Sequence, residues 1–145
     1  MRCHSRALAA LYPLVTFAAM SLVAPAFAQP RPGAVTWYTD YQAARKAANE
    51  KGLPLLVVVG TENCFYCRKL EAGPLRDPAI AKLLGDGYVA LKLDATGNPE
   101  LAKALKVTLY PTTVLAAPDG KIHTFIEGYV EADRLAEQLK RTTAT

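Results

Sequence analysis

The chain has no internal repeat, no low-complexity segment and no glycine pattern of the kind that cradles phosphates. Repeat architectures and the common nucleotide-binding loops are therefore excluded. Charge of one sign is scarce as well. Lys and Arg together number 17 against 13 acids, a net charge of +4. Cysteine is rarer still, with three in 145 residues.

The first 28 residues explain part of the remaining charge. Met1 to Arg6 is positive, Ala7 to Val23 is apolar, and Ala26-Phe27-Ala28 is an A-x-A cleavage pattern. This order reads as a secretory signal peptide, residues 1–28, cut after Ala28. An uncleaved anchor is the rival, because Ala7 to Ala28 approaches spanning length. There is no twin-arginine pair. Cys3 lies in the charged region ahead of the apolar stretch, where no chemistry is assigned to it. Arg2 and Arg6 leave with the segment, so the remaining 117 residues carry 15 bases and 13 acids, net +2. That is too little to argue for nucleic acid or an anionic membrane as partner. The mature chain is long enough to bury one core without staples.

Residues 29–36 contain prolines and a glycine and read as a flexible lead-in. A single domain is expected over residues 37–145. Tyr41 to Lys51 predicts a helix with Thr39 or Asp40 as N-cap and Gly52 as stop. Leu55 to Val59 is continuously apolar and β-branched, the pattern of a strand buried on both faces. A helix to about Ala72 follows. Asp77-Pro78 starts another, which Gly85-Asp86-Gly87 is expected to stop. Tyr88 to Asp94 is a second strand, and Asn98-Pro99 opens a helix through Lys106. Thr112 to Ala116, a turn at Pro118 to Lys121, and Ile122 to Tyr129 form a hairpin. Glu131 to Arg141 closes the chain as an amphipathic helix with Leu135 and Leu139 on one face. Helical connections imply parallel pairing of the early strands, and the hairpin adds an antiparallel edge.

What this frame carries is a pair of cysteines two residues apart, Cys64-Phe65-Tyr66-Cys67. It sits between the buried strand and a helix. A helix N-terminus offers free N–H groups and a positive dipole end, which favour thiolate over thiol at Cys64. Thiolate is the species that attacks disulfides. A purely structural disulfide is the plainer reading, suited to an oxidising compartment. Closing so short a loop, however, constrains the unfolded chain little.

A C-x-x-C after a buried strand, in an α/β chain of this size, resembles the thioredoxin fold. The segment Val107 to Val114, with Tyr110-Pro111-Thr112 at its centre, looks like that family's cis-proline segment. Cys67 to Glu71 and Asp77-Pro78 are most similar to the C-terminal domain of the thiol:disulfide interchange proteins and to secreted thioredoxin-like proteins. The resemblance covers residues 35 to 141. It implies a thioredoxin-like three-layer α/β/α sandwich with a central four-stranded mixed sheet. It also implies an exported thiol:disulfide oxidoreductase, on the reductase side, acting on protein substrates. Periplasmic or secreted localisation goes with it. The partners implied are disulfide- or thiol-containing exported proteins and an upstream redox protein. No metal or other cofactor is needed beyond the pair itself, and a membrane enters only if the leader is retained.

Residue by residue, the resemblance makes Cys64 the attacking thiolate and Cys67 the resolving thiol. Tyr110 and Pro111 would offer backbone to an extended substrate. Phe65 and Tyr66 form an exposed rim for apolar substrate segments, or Tyr66 packs on its helix. Glu62 is a candidate proton acceptor for Cys67, with a solvated loop carboxylate as the plainer reading. The chain also departs from the family. Asn63 stands where an active-site tryptophan is usual. Val58 stands where cytosolic thioredoxins bury an acid, and Ala90 is the nearest match to that acid's lysine partner. Two rival functions share the fold: a copper(I)-handling module using both thiolates, and a non-catalytic binding module with an inert disulfide. Neither Met nor His clusters beside the motif. Expression in an exporting host is expected to yield protein beginning at Gln29. An intact mass that retains residues 1–28 would establish the anchor instead.

Overall fold

The computed structural model describes residues 34–143. The signal peptide and most of the lead-in lie outside those residues. Eleven elements follow in order. They are β1 (Trp37–Tyr38), α1 (Tyr41–Lys51), β2 (Leu55–Gly60), α2 (Phe65–Ala72), a 3-10 turn (Pro74–Arg76), α3 (Pro78–Gly87), β3 (Val89–Asp94), α4 (Pro99–Ala104), β4 (Thr112–Ala116), β5 (Ile122–Glu127) and α5 (Ala132–Thr143). No helix among them is long and apolar enough to cross a membrane.

One sheet, ordered β1-β3-β2-β4-β5, forms the middle layer. β3 runs parallel to both β1 and β2; β4 is antiparallel to β2 and to β5. The central position of β2 follows from its composition. All five residues from Leu55 to Val59 are buried, so neither face needs water. Its odd positions, Leu55, Val57 and Val59, pack on α1 and α4 through Ala44, Ala48, Ala102 and Leu105. Its even positions, Leu56 and Val58, pack on the other layer through Leu70, Ile80, Leu84, Leu135 and Leu139 of α2, α3 and α5. The period of two in a strand thus feeds two separate cores. This is the expected three-layer α/β/α arrangement.

The sheet has five strands rather than four. Trp37–Tyr38 pairs with Ala90 and Leu91 of β3 as an edge strand. Two residues are too short to show any alternation, so only pairing reveals them. A second difference lies in α3, which runs through Gly85-Asp86-Gly87 instead of stopping there. Each glycine costs a helix about 1 kcal/mol relative to alanine. Tertiary anchoring outweighs that cost here. Lys82 pairs with Asp86 across the last turn at 2.6 Å, and Tyr88 donates its N–H to the Leu84 carbonyl. The Tyr88 hydroxyl then donates to the Leu139 carbonyl at 2.6 Å, tying this end to α5. β5 ends at Glu127, two residues early, because Gly128 turns the chain at φ +77°. α4 likewise ends at Ala104, not Lys106.

The caps behave as the sequence implies. Asp40, rather than Thr39, accepts the Ala43 N–H at 2.7 Å, and Gly52 closes α1 at φ +63°. Asp77 accepts from Ala79 and Ile80 ahead of Pro78, and is a cap rather than a catalytic group. Replacing it removes both acceptor contacts from the start of α3. Asp77→Ala is expected to lower stability by about 1 kcal/mol, measured as a lower urea midpoint with an unchanged slope.

Candidate active site

β2 delivers the chain to the site. After Gly60 comes a turn in which the Cys64 N–H donates to the Thr61 carbonyl. Cys64 is the N-cap of α2, with extended φ and ψ of −90° and 110°. Its Sγ accepts the Cys67 backbone N–H at 3.1 Å, the place a serine or aspartate oxygen takes in an ordinary cap. Arg68 holds the approach by donating from Nη1 to the Glu62 carbonyl at 3.0 Å. Cys64 and Cys67 are joined in a disulfide, with their Cα atoms 5.2 Å apart.

The two sulfurs are not equivalent. Cys64 is half-buried, whereas Cys67 is 5% exposed. Cys67 also lies close to Gly60. A Cβ at that glycine would stand 3.0 Å from the Cys67 Sγ and 3.3 Å from its Cβ. Glycine is needed there for room and not for an unusual φ. An incoming group therefore meets Cys64 first.

Phe65 and Tyr66 project outward, 65% and 54% exposed. Their rings meet edge to face at 5.4 Å. Tyr66 also leans on Tyr129 at 6.3 Å, and Lys69 sits 4.1 Å over the Tyr129 ring. Tyr66 is thus exposed and rests against the Phe65 and Tyr129 rings. Tyr129 was not visible as a site residue, since the strand pattern runs up to it. The turn at Gly128 brings it across. Partial burial, then its hydrogen bond to Glu131, raise the Tyr129 phenol above its ordinary pKa, so it stays neutral near pH 7.

Tyr110 and Pro111 reach the same end of the sheet. Val59, next to the end of β2, pairs with Thr112, the first residue of β4. Pro111 therefore flanks the strand end from which the cysteine turn departs. The Tyr110–Pro111 peptide is cis, as the resemblance implies. The Pro111 carbonyl accepts from Gly128, and Thr112 Oγ1 donates to the Leu109 carbonyl at 2.7 Å. Leu109 is half-exposed beside them.

Behind the disulfide lies a cleft of about 340 Å³. Cys67, Val58 and Gly60 form its floor, and Glu62, Glu71, Lys92 and Asp94 line its walls. Glu71 and Lys92 are paired at 2.7 Å, and Lys92 lies 5.1 Å over the Trp37 ring. Strand register adds a residue that the sequence did not single out. The residue opposite Val58 on β3 is Lys92, while Ala90 sits opposite Leu56. A lysine is thus present beside the position of the usual buried acid, but its partner is Glu71 on α2. Trp37 packs on the core under that lysine. His123 is exposed on β5, away from these residues.

A fold of this topology with this pair belongs to one class, and the comparisons agree. The family described as the thioredoxin-like domain matches residues 41–143, and the chain belongs to it. The uncharacterised Caenorhabditis elegans protein B0495.5 is 28% identical over 93 residues, 59% of this chain and 13% of that protein. The chain spans 13% and 10% of the length of the first curated relatives it matches. Among solved structures, a thioredoxin from Thermus thermophilus superposes with a TM-score of 0.68 at 24% identity, over 74% of this chain and 86% of that one. A DsbH oxidoreductase superposes at 0.65 and 20% identity, over 81% and 92%. Identities this low establish the fold.

Gly60→Val places branched carbon against the Cys67 sulfur. Such overpacking is expected to destabilise the oxidised protein by about 1–3 kcal/mol, read by denaturant titration with and without reductant.

Proposed function

We propose that the chain is an exported thiol:disulfide oxidoreductase acting on protein substrates through Cys64 and Cys67. One observation carries the reading. A half-exposed cysteine caps a helix, its sulfur accepting a backbone N–H, and it is disulfide-bonded to a buried cysteine one turn on. The cap supports the thiolate form of Cys64 in the reduced protein, through the N–H donor and the helix dipole. In the reductive direction, Cys64 thiolate attacks a substrate disulfide and forms a mixed disulfide. Cys67 then attacks Cys64, the Cys64–Cys67 bond forms, and the substrate leaves reduced.

Phe65, Tyr66 and Leu109 supply apolar contact for the polypeptide around the substrate cystine. Tyr110 offers backbone on the far side: its N–H and carbonyl have no partner among the described residues. The disulfide-bearing partners are exported proteins, in the periplasm or outside the cell. This follows from the leader pattern of residues 1–28. An upstream redox protein restores the dithiol. The reductive lean rests on the likeness of Cys67 to Glu71 and Asp77-Pro78 to the interchange-protein domain.

The wild type is expected to reduce insulin with dithiothreitol as electron source, and Cys64→Ser is expected to abolish this. Cys67→Ala should accumulate mixed disulfides with exported proteins. A wild type that leaves insulin intact, together with a Cys67→Ala variant that traps nothing, rules the enzyme out. A potential nearer about −270 mV than about −120 mV places it among reductants.

A further inference from the structure

Resolution requires Cys67 to lose its proton, and the β2 residue that shares its cleft cannot take it. The residue at the usual acid position is Val58, and Cys67 is 5% exposed. A thiol buried against apolar groups keeps its proton. The groups that can accept it must therefore stand on the cleft walls. Three carboxylates do, Glu62 from the loop, Glu71 from α2 and Asp94 from β3, with Lys92 of β3 beside them as a cation.

They differ in what already occupies them. Asp94 is tied down, its carboxylate oxygens accepting the Thr96 and Gly97 N–H groups. Glu62 is exposed on the turn, and among the described residues its one hydrogen bond is through its backbone carbonyl, which accepts from Arg68. Glu71 lies four residues beyond Cys67, one turn along the same helix face. Lys92 holds its Oε2 at 2.7 Å, and Trp37 backs the lysine. The pair is 44% and 37% exposed at its side chains, so water reaches the carboxylate. An ion pair so open contributes at most about 1 kcal/mol to the fold. A cleft of 340 Å³ has room for water between Glu71 and the thiol.

We propose that Glu71, positioned by Lys92, accepts the proton of Cys67 through cleft water when the mixed disulfide is resolved. The inference rests on the thiol-exchange reading. In this step the Cys67 S–H proton passes by way of water to the Glu71 carboxylate. The Cys67 thiolate attacks Cys64 Sγ and the Cys64–Cys67 bond forms. The bond from Cys64 to the substrate sulfur breaks, and that sulfur leaves as thiolate. The two electrons that reduce the substrate disulfide come from the two cysteine thiols. Glu71 is then the acceptor, and Lys92 is a positioning residue that fixes the carboxylate on the wall.

Stopped-flow reaction with dithiobisnitrobenzoate separates the two steps. The reduced full chain carrying Cys3→Ser has two thiols. The first coloured thiolate released reports attack by Cys64, and the second reports resolution by Cys67. Glu71→Gln is expected to slow the second release about 10-fold or more near pH 7, the first changing less than about twofold. Raising the pH should restore the second rate, because hydroxide replaces the carboxylate. Lys92→Met should slow it by a smaller factor, and Asp94→Asn should leave it unchanged. An unaltered second release in Glu71→Gln overturns the inference, and so does a loss that follows Glu62→Gln instead. Equal slowing of both releases, without recovery at high pH, assigns the pair a structural role and overturns it too. Insulin reduction by the wild type tests the underlying activity separately.

Discussion

Burial of β2 on both faces is the constraint from which the rest of this fold follows. Leu55 to Val59 carry no polar side chain, so the strand is stable only with a layer on each side and a neighbour on each edge. Each such side chain contributes about 1.5–3 kcal/mol when fully buried. That placement determines where β2 must stop. At Gly60 the chain leaves the sheet between the ends of β3 and β4, with Asp94 and Thr112 beside it. The polar backbone at this exit cannot go unpaired. The Gly60 carbonyl accepts the Ala95 N–H and the Thr61 carbonyl accepts the Cys64 N–H, and Cys64 then caps α2.

The chemical asymmetry of the two cysteines comes from the same exit. Cys64 is outside the first turn of α2 and Cys67 is inside it. One N–H therefore points from the inner residue to the outer sulfur. The outer sulfur receives a donor and partial access to solvent, and the inner one receives Gly60 and Val58 as neighbours. A cap that elsewhere serves only to stabilise a helix here also supports one of two thiols as the charged form. The antiparallel approach of β4 adds the Pro111 segment at the same edge, and Gly128 fastens that segment through the Pro111 carbonyl.

Much of this is legible in the sequence. The run from Leu55 to Val59, the Asp77-Pro78 start and the Asp119-Gly120 turn are local signals whose causes lie within a few residues. Lys121 donating to Asp119, and Gly120 at φ +90°, are instances of that locality. Leu135 and Leu139 were legible for the same reason, since a helix repeats its buried face. What stayed hidden depends on pairing between distant segments. β1 exists only because β3 offers an edge to it. α3 continues through two glycines because α5 receives the Tyr88 hydroxyl. Lys92 went unremarked because the sequence of one strand does not give its register against another; pairing sets it opposite Val58. Tyr129 reached the aromatic rim only through a backbone turn that composition does not announce.

The Val58 and Lys92 pair shows how such register changes chemistry. A carboxylate at position 58 would lie buried in the even-face core, where an ion must be paired and hydrogen-bonded to be tolerated. Valine removes that requirement and adds packing against the α2 layer. Lys92 on the neighbouring strand pairs with Glu71 of α2. The charge pair of this chain thus stands on the cleft wall. There both ends keep contact with water, so little desolvation energy is lost and little stability is gained. An ion pair that does little for the fold and lines the space behind the buried sulfur is better accounted for by the chemistry of that sulfur than by the stability of the chain.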